Sequence, residues 1–315
     1  MRGIRFRGRA GEVEDRQPVV LEGGGQALPA GAAPMPLEKQ KAGDPTYWLG
    51  RGDAETRRLI QQSRFLNPFT GFLLGEAGIA EGMKVLDVGS GAGDVALLAA
   101  ELVGPGGSVV GVDTNPKILQ TARARADFAG LTNTEFVAGE CRSANLGDGF
   151  DAIVGRLVLL YVAEPAEVLR SLAGRLEPGG IVAFQDYNFT PNSVQSFPPM
   201  RIWQQVYGWV RAAAQQAGLN TAMGYDLRRI FIEAGLPEPD MQISSPVGGG
   251  PSWEGYENIA ATIGNMLPLI LASGAATAEE VGLDTLAERL RDETVAMGGV
   301  VKFPDLVGAW TRRTG

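Results

Sequence analysis

The segment Val85 to Asp94, VLDVGSGAGD, constrains this chain more than any other. A short apolar run enters glycines at 89, 91 and 93 and reopens as a helix, the arrangement by which a buried strand presents its carboxyl end to a ligand. Glycine is needed because a side chain would hold the backbone away from the ligand, and because such a turn calls for positive φ. A dinucleotide fingerprint has glycine at its first, third and sixth positions, but the sixth residue from Gly89 is Asp94. An acid at a helix start repels a pyrophosphate and suits a cationic ligand, and Asp87 just before the turn adds a second carboxylate.

Around this turn, strand and helix alternate. The spacing predicts strands at Lys84–Gly89, Ser108–Asp113, Thr134–Ala138, Phe150–Val154 and Gly180–Tyr187, with helices at Asp94–Val103, Pro116–Ala129 and Glu164–Leu176. This is a doubly wound α/β arrangement with right-handed crossovers. Upstream, Leu59, Ile60, Phe65, Leu66, Phe69, Phe72 and Leu73 recur at helical spacing and break at Asn67-Pro68, which reads as two short helices. Downstream come helices at Met200–Ala217 and Gly224–Ala234, a strand at Met241–Ser245, helical sequence over Ser252–Met297 and a last strand at Asp305–Arg312. The expected fold is a seven-stranded Rossmann-like sheet with helical cap insertions. Residues 1–45, rich in Gly, Pro and Ala, read as a flexible tail, and 46–80 as an N-terminal helical lid. Residues 81–187 form the α/β core, and 188–315 complete the sheet with insertions over 188–240 and 251–298.

Composition narrows the chemistry. The 28 basic and 36 acidic residues leave a net charge of −8, which disfavours nucleic acid as a partner. No run of about 18 uninterrupted apolar residues exists to span a bilayer. The early arginines 2, 5, 7 and 9 are not followed by the apolar stretch of a secretory signal, so a cytoplasmic location is expected. With no histidine and a single cysteine, Cys141, the usual zinc sets and the serine-histidine triad cannot be assembled. The chemistry must rest on carboxylates, tyrosines, cationic side chains or a cofactor.

The second strand ends in Asp113, twenty residues beyond Gly93, where a carboxylate can accept hydrogen bonds from both hydroxyls of a ribose. At this point the chain resembles the class I S-adenosylmethionine-dependent methyltransferases, whose first motif looks like VLDVGSGAGD and whose second strand ends in such an acid. The resemblance extends over residues 83–187 and takes in AGECRS (Ala138–Ser143), FDAIVGRLVLLYV (Phe150–Val162) and RLEPGG (Arg175–Gly180). The flanking helices look like the small-molecule and quinone branch.

The resemblance implies S-adenosylmethionine as cofactor and S-adenosylhomocysteine as product. Gly89, Ser90, Gly91 and Gly93 would face the methionine portion and Asp87 its ammonium group. Asp113 would hold the ribose, with Thr114 beside the adenine and Glu140 and Cys141 at the adenine edge. Arg156 would lie by the sulfonium through its backbone carbonyl or aliphatic stem. Catechol-type relatives place a metal-binding Asp after the fourth strand; Arg156 stands there, so no metal is expected.

Because a sulfonium methyl is already activated, alignment and exclusion of water matter more than a strong base. If a base takes part, the candidates are Tyr47, Tyr161 and Asp186, with Tyr187 beside the last. Trp203, Tyr207, Trp253 and Tyr256 in the insertions, with Trp48 and Tyr47 as a lid pair, suit a flat or hydrophobic small-molecule acceptor. A homodimer is compatible with this layout. The rival readings are a nicotinamide-dependent oxidoreductase, and a protein using the same cofactor site without methyl transfer.

Overall fold

The computed structural model describes residues 54–191 and 193–314, with side chains from Phe65 onward. The expected tail (1–45) and the lid residues Tyr47 and Trp48 lie outside the described residues.

The first helix, α1 (Ala54–Ala77), leads into β1 (Lys84–Val88), α2 (Asp94–Val103), β2 (Ser108–Asp113), α3 (Pro116–Ala129) and β3 (Thr134–Ala138). Then follow β4 (Phe150–Arg156), α4 (Pro165–Ala173) and β5 (Leu176–Asn188). Local chemistry sets these boundaries. At α3 the Asn115 side chain accepts from the Lys117 amide, Pro116 occupies the first turn and Gly130 closes the helix at φ 69°.

After β5 come β6 (Gln195–Phe197), α5 (Arg201–Gln216), α6 (Met223–Glu233), β7 (Asp240–Ser244) and β8 (Val247–Gly248). The chain ends with α7 (Gly255–Ser273), α8 (Ala278–Val281), α9 (Leu283–Ala296), β9 (Val300–Lys302) and β10 (Asp305–Arg312). Seven strands join in the order β3-β2-β1-β4-β5-β10-β7. The first five pair in parallel, and β10 runs antiparallel between β5 and β7.

Alternate residues of each inner strand serve opposite faces. Val85, Val109, Ala152, Val154, Ile181 and Ala183 pack with α1, α2 and α3. Leu86, Val110, Ile153, Val182 and Phe184 pack with α4 and α6 on the other face. A third cluster joins α5, α7, α9 and β9 around Trp203, Tyr256 and Phe303, forming the helical cap. Among the described residues, no helix is long and apolar enough to cross a membrane.

Two expectations need correction, and one element was not foreseen. Asn67-Pro68 does not divide the N-terminal helix: α1 is continuous, with Pro68 inside it. An interior proline costs about 3 kcal/mol, but Leu66, Leu73 and Leu74 are buried and Asn67 and Thr70 are hydrogen-bonded to Arg156, so tertiary contacts outweigh the local break. Helix α4 ends at Ala173 rather than Leu176, because Leu176 already pairs with Phe150, and the register jumps over PGG before Ile181 meets Ala152. Finally, β6, β9 and β8 form a small antiparallel sheet that the sequence did not announce, since two- and three-residue strands carry no alternation to detect.

Candidate functional site

Asp87, the glycine turn, Asp113, Glu140, Arg156 and Asp186 lie at or just past the carboxyl ends of β1, β2, β3, β4 and β5. Gly89, at φ 66°, could not carry a side chain, because a Cβ would come within 2.6 Å of Val158 Cγ2. Gly91, at φ 53°, differs: its Cβ direction meets only the Gly89 carbonyl, at 4.0 Å, so its bareness leaves room beside the turn. The loop is stapled to β2 by Asp113, whose Oδ2 accepts from the Gly91 amide at 3.0 Å and Oδ1 from the Asn115 amide at 2.8 Å. Ser90 donates its amide to the Val112 carbonyl at 2.9 Å, while its buried hydroxyl has no partner.

Asp87 is the unusual group. It is 1% exposed, and neither carboxylate oxygen has a hydrogen-bond partner. Burial pushes its pKa well above the usual carboxylate range; Arg156 and then the Ala96 amide of α2 oppose that shift, and the charges of Asp94 and Asp113 add to it.

Asp94 corrects the sequence reading. Its carboxylate does not await a cationic ligand: Arg125 lies at 2.5 Å and Arg156 at 3.5 Å. Arg156, the last residue of β4, also donates to Asn67 Oδ1 at 3.1 Å and to Thr70 Oγ1 at 2.9 Å, and Thr70 donates to Gln185 Oε1 at 2.8 Å. The guanidinium thus lies within a protein network. Asn67, Thr70, Arg125 and Gln185 were not singled out from the sequence. The signal available was polar residues on an apolar helix face and inside a buried strand.

Thr114, after β2, and Glu140, after β3, are exposed, and the half-buried Cys141 places its thiol 3.6 Å from Glu140 Oε1. Burial, then the Glu140 charge, push that thiol up to about 11, so it stays protonated.

Asp186 is fully buried near the end of β5 and accepts from the Leu159 amide at 3.1 Å; its other oxygen has no partner. Burial raises its pKa to about 8 against the pull of the Leu159 and Leu160 amides. Tyr161, by contrast, is 69% exposed.

In the cap, the four aromatic candidates come together, with ring centroids 5.2 Å apart for Trp253–Tyr256 and 6.0 Å for Trp203–Tyr207. Their polar ends differ. Trp203 donates to Thr294 Oγ1 at 2.8 Å and Tyr256 to the Gly249 carbonyl at 2.9 Å, whereas the buried Tyr207 hydroxyl has no partner.

Residues 79–235 match a family model described as a methyltransferase domain. An arsenite methyltransferase of Halobacterium salinarum is 36% identical over 126 residues, covering 39% of this chain and 32% of that protein. A ubiquinone/menaquinone biosynthesis C-methyltransferase, UbiE, of Pseudomonas putida is 32% identical over 127 residues, covering 40% of this chain and 50% of that one. The chain therefore spans a third to a half of the length of these relatives. Among solved structures, the YcgJ protein of Bacillus subtilis shares the fold with a TM-score of 0.50 at 16% identity, covering 79% of this chain and 100% of that one. A glycine turn stapled to a strand-end acid, on a sheet of this order and within a matching domain, leads to one assignment: through residues 79–235 the chain belongs to the class I S-adenosylmethionine-dependent methyltransferases, with S-adenosylmethionine as the cofactor of that domain.

Proposed function

We propose that this protein methylates a small, apolar or aromatic acceptor, with residues 81–187 serving the cofactor and the insertions at 188–240 and 251–298 serving the acceptor. The observation that carries the reading is Asp87, a buried carboxylate with two unpartnered oxygens beside the glycine turn. Such a group is costly unless a cation completes it, and the cofactor's ammonium is one. Asp113 suits the ribose, since each oxygen that accepts an amide keeps a lone pair for a hydroxyl. Gly89, Ser90, Gly91 and Gly93 would border the methionine portion, Thr114, Glu140 and Cys141 the adenine, and Arg156 the sulfonium end.

When bound, S-adenosylmethionine supplies an activated methyl group. The chain's own part is to align the acceptor and exclude water, for which the apolar cap is suited. Of the proton acceptors considered, Asp186 is the buried one; Tyr161 projects outward and Tyr47 lies outside the described residues. The nicotinamide reading loses its earlier counter-argument, because Asp94 is neutralised by two arginines. Against it stand the sixth position of the turn, which is Asp94 and not the glycine of a dinucleotide fingerprint, and the methyltransferase-like RLEPGG turn (Arg175–Gly180).

Calorimetry with S-adenosylhomocysteine and with NAD tests the cofactor half: binding of the first and not the second is expected, and the reverse overturns it. Mass analysis of candidate acceptors incubated with protein and S-adenosylmethionine tests the other half. A one-methyl gain on an apolar or aromatic compound supports the proposal, whereas gain only on strongly polar acceptors overturns it.

A further inference from the structure

The charged groups around Asp87 come from three elements besides its own strand: Arg156 from β4, Asp94 from α2 and Asp113 from β2. Two are anions and one is a cation. Asp113 is tied to the Gly91 and Asn115 amides, and Asp94 to Arg125 of α3. Asp87 pairs with Val154 across β1 and β4, and Arg156 follows two residues later on β4, so the two side chains lie on the same face of the sheet and Arg156 is the cation among these groups. It makes no hydrogen bond to Asp87, whose oxygens are both unpartnered.

What holds the guanidinium there is also clear. Its side chain is 6% exposed, Asn67 and Thr70 of α1 accept from it, and Asp94 pairs with it at the head of the helix that follows the glycine turn. Tyr187 and Arg125 also face it electrostatically. One residue therefore joins α1 to the cofactor turn and brings a positive charge to the face of the sheet that carries Asp87.

We propose that Arg156 is a positioning residue for the cofactor: clamped by Asn67, Thr70 and Asp94, its charge lowers the cost of ionising the buried Asp87, so that the carboxylate can receive the cofactor's ammonium. This rests on the reading that Asp87 receives that ammonium. A carboxylate in a low-dielectric site without a counter-charge takes up a proton. An arriving ammonium must then displace that proton, and apparent affinity falls tenfold for each pH unit below the group's midpoint. Burial and the two neighbouring acids favour the protonated form, and Arg156 opposes them.

The test is calorimetric titration with S-adenosylhomocysteine across roughly pH 5 to 9, on the full chain and on four variants. In the wild type, affinity should fall toward low pH, and binding below the midpoint should release a proton, read from paired titrations in buffers of different ionisation enthalpy. Arg156→Met should move the midpoint upward by about one pH unit or more, a tenfold loss at low pH that is recovered at high pH. Arg156→Lys, which keeps the charge, should stay near the wild-type midpoint. Asp94→Asn opens the same clamp but removes an anion, so its midpoint should move down. Asp87→Asn should abolish the pH dependence.

A loss in Arg156→Met that is equal at every pH, or the same shift in Arg156→Met and Asp94→Asn, would reduce Arg156 to a structural support and overturn the proposal. Should Arg156→Met fail to fold, the wild-type proton release and the Asp94→Asn shift decide: absence of both overturns it. A wild type that binds no S-adenosylhomocysteine at any pH overturns the cofactor reading, and this inference with it.

Discussion

Asp113 shows how one carboxylate can serve the fold and a ligand together. Its oxygens already restrain the glycine turn through the Gly91 and Asn115 amides, so a ribose would meet acceptors fixed in place beforehand. Asp113→Ala should weaken S-adenosylhomocysteine binding by about 1.5–3 kcal/mol, since charge-assisted bonds are lost and the turn loosens. Calorimetry giving unchanged affinity would remove Asp113 from the ribose site. Asp186 poses a different question, one of pH. Burial lifts its pKa from the model-peptide value of 3.8 to about 8, so between those values the folded state holds a proton that the unfolded chain has lost. Its contribution is therefore fully present below the lower value and lost as pH rises through about 8. Melting temperature should accordingly decline from mildly acidic pH up to about 8 and level off above it. The decline should flatten in Asp186→Asn, which keeps an acceptor for the Leu159 amide; identical slopes would show that another group titrates.

At the scale of elements, the cap separates residues that look alike in sequence. Trp203 sits at the centre of the α5, α7 and α9 packing and its indole N–H is satisfied by Thr294. Trp203→Ala should therefore cost about 3–5 kcal/mol in denaturant unfolding, a core effect that precedes any effect on an acceptor. Tyr207 is buried one helical turn further along α5, but its hydroxyl is unpartnered. Tyr207→Phe should leave stability unchanged or slightly higher, because an unsatisfied buried hydroxyl costs about 1–3 kcal/mol of desolvation. If an acceptor uses that hydroxyl, the same variant raises KM for it while affinity for S-adenosylhomocysteine stays level. A clear drop in stability would show that the Tyr207 hydroxyl is satisfied within the folded protein and not held for an acceptor. Helix α1 carries the related lesson that a proline interrupts a helix only when nothing outside the helix holds it.

For the whole molecule, the cofactor reading predicts ligand-linked stability. A ligand that binds only the folded state stabilises it by about 2.7 kcal/mol at roughly a hundred times its Kd. Thermal melts with S-adenosylhomocysteine should shift upward by several degrees, and melts with NAD should not. Equal shifts with both would point to nonspecific binding at the glycine turn. Because the cap packs as its own cluster, Trp203→Ala should lower the starting melting temperature and still leave an upward shift with S-adenosylhomocysteine. Loss of that shift would mean that cap and cofactor site unfold as one.

The sequence alone determined the features that depend on near neighbours. The five parallel strands and their order of appearance, the glycine turn and the strand-end acid all follow from alternation, helical period and glycine placement, which act over a few residues. It also carried the likeness to the methyltransferase family, because those motifs are local. Tertiary structure decided the rest. Thr70 meets Gln185 across 115 positions, Arg156 meets Asn67 across 89 and Arg125 meets Asp94 across 31. No periodicity encodes such pairings, so the sequence presented Asp94 and Asp87 as two like carboxylates, both open to a cationic ligand. Folding separates the two: Asp94 is neutralised by arginines from elsewhere in the chain, and Asp87 is buried with no side chain hydrogen-bonded to it. A carboxylate's character is set by the charges and dielectric around it, and only the folded chain supplies those.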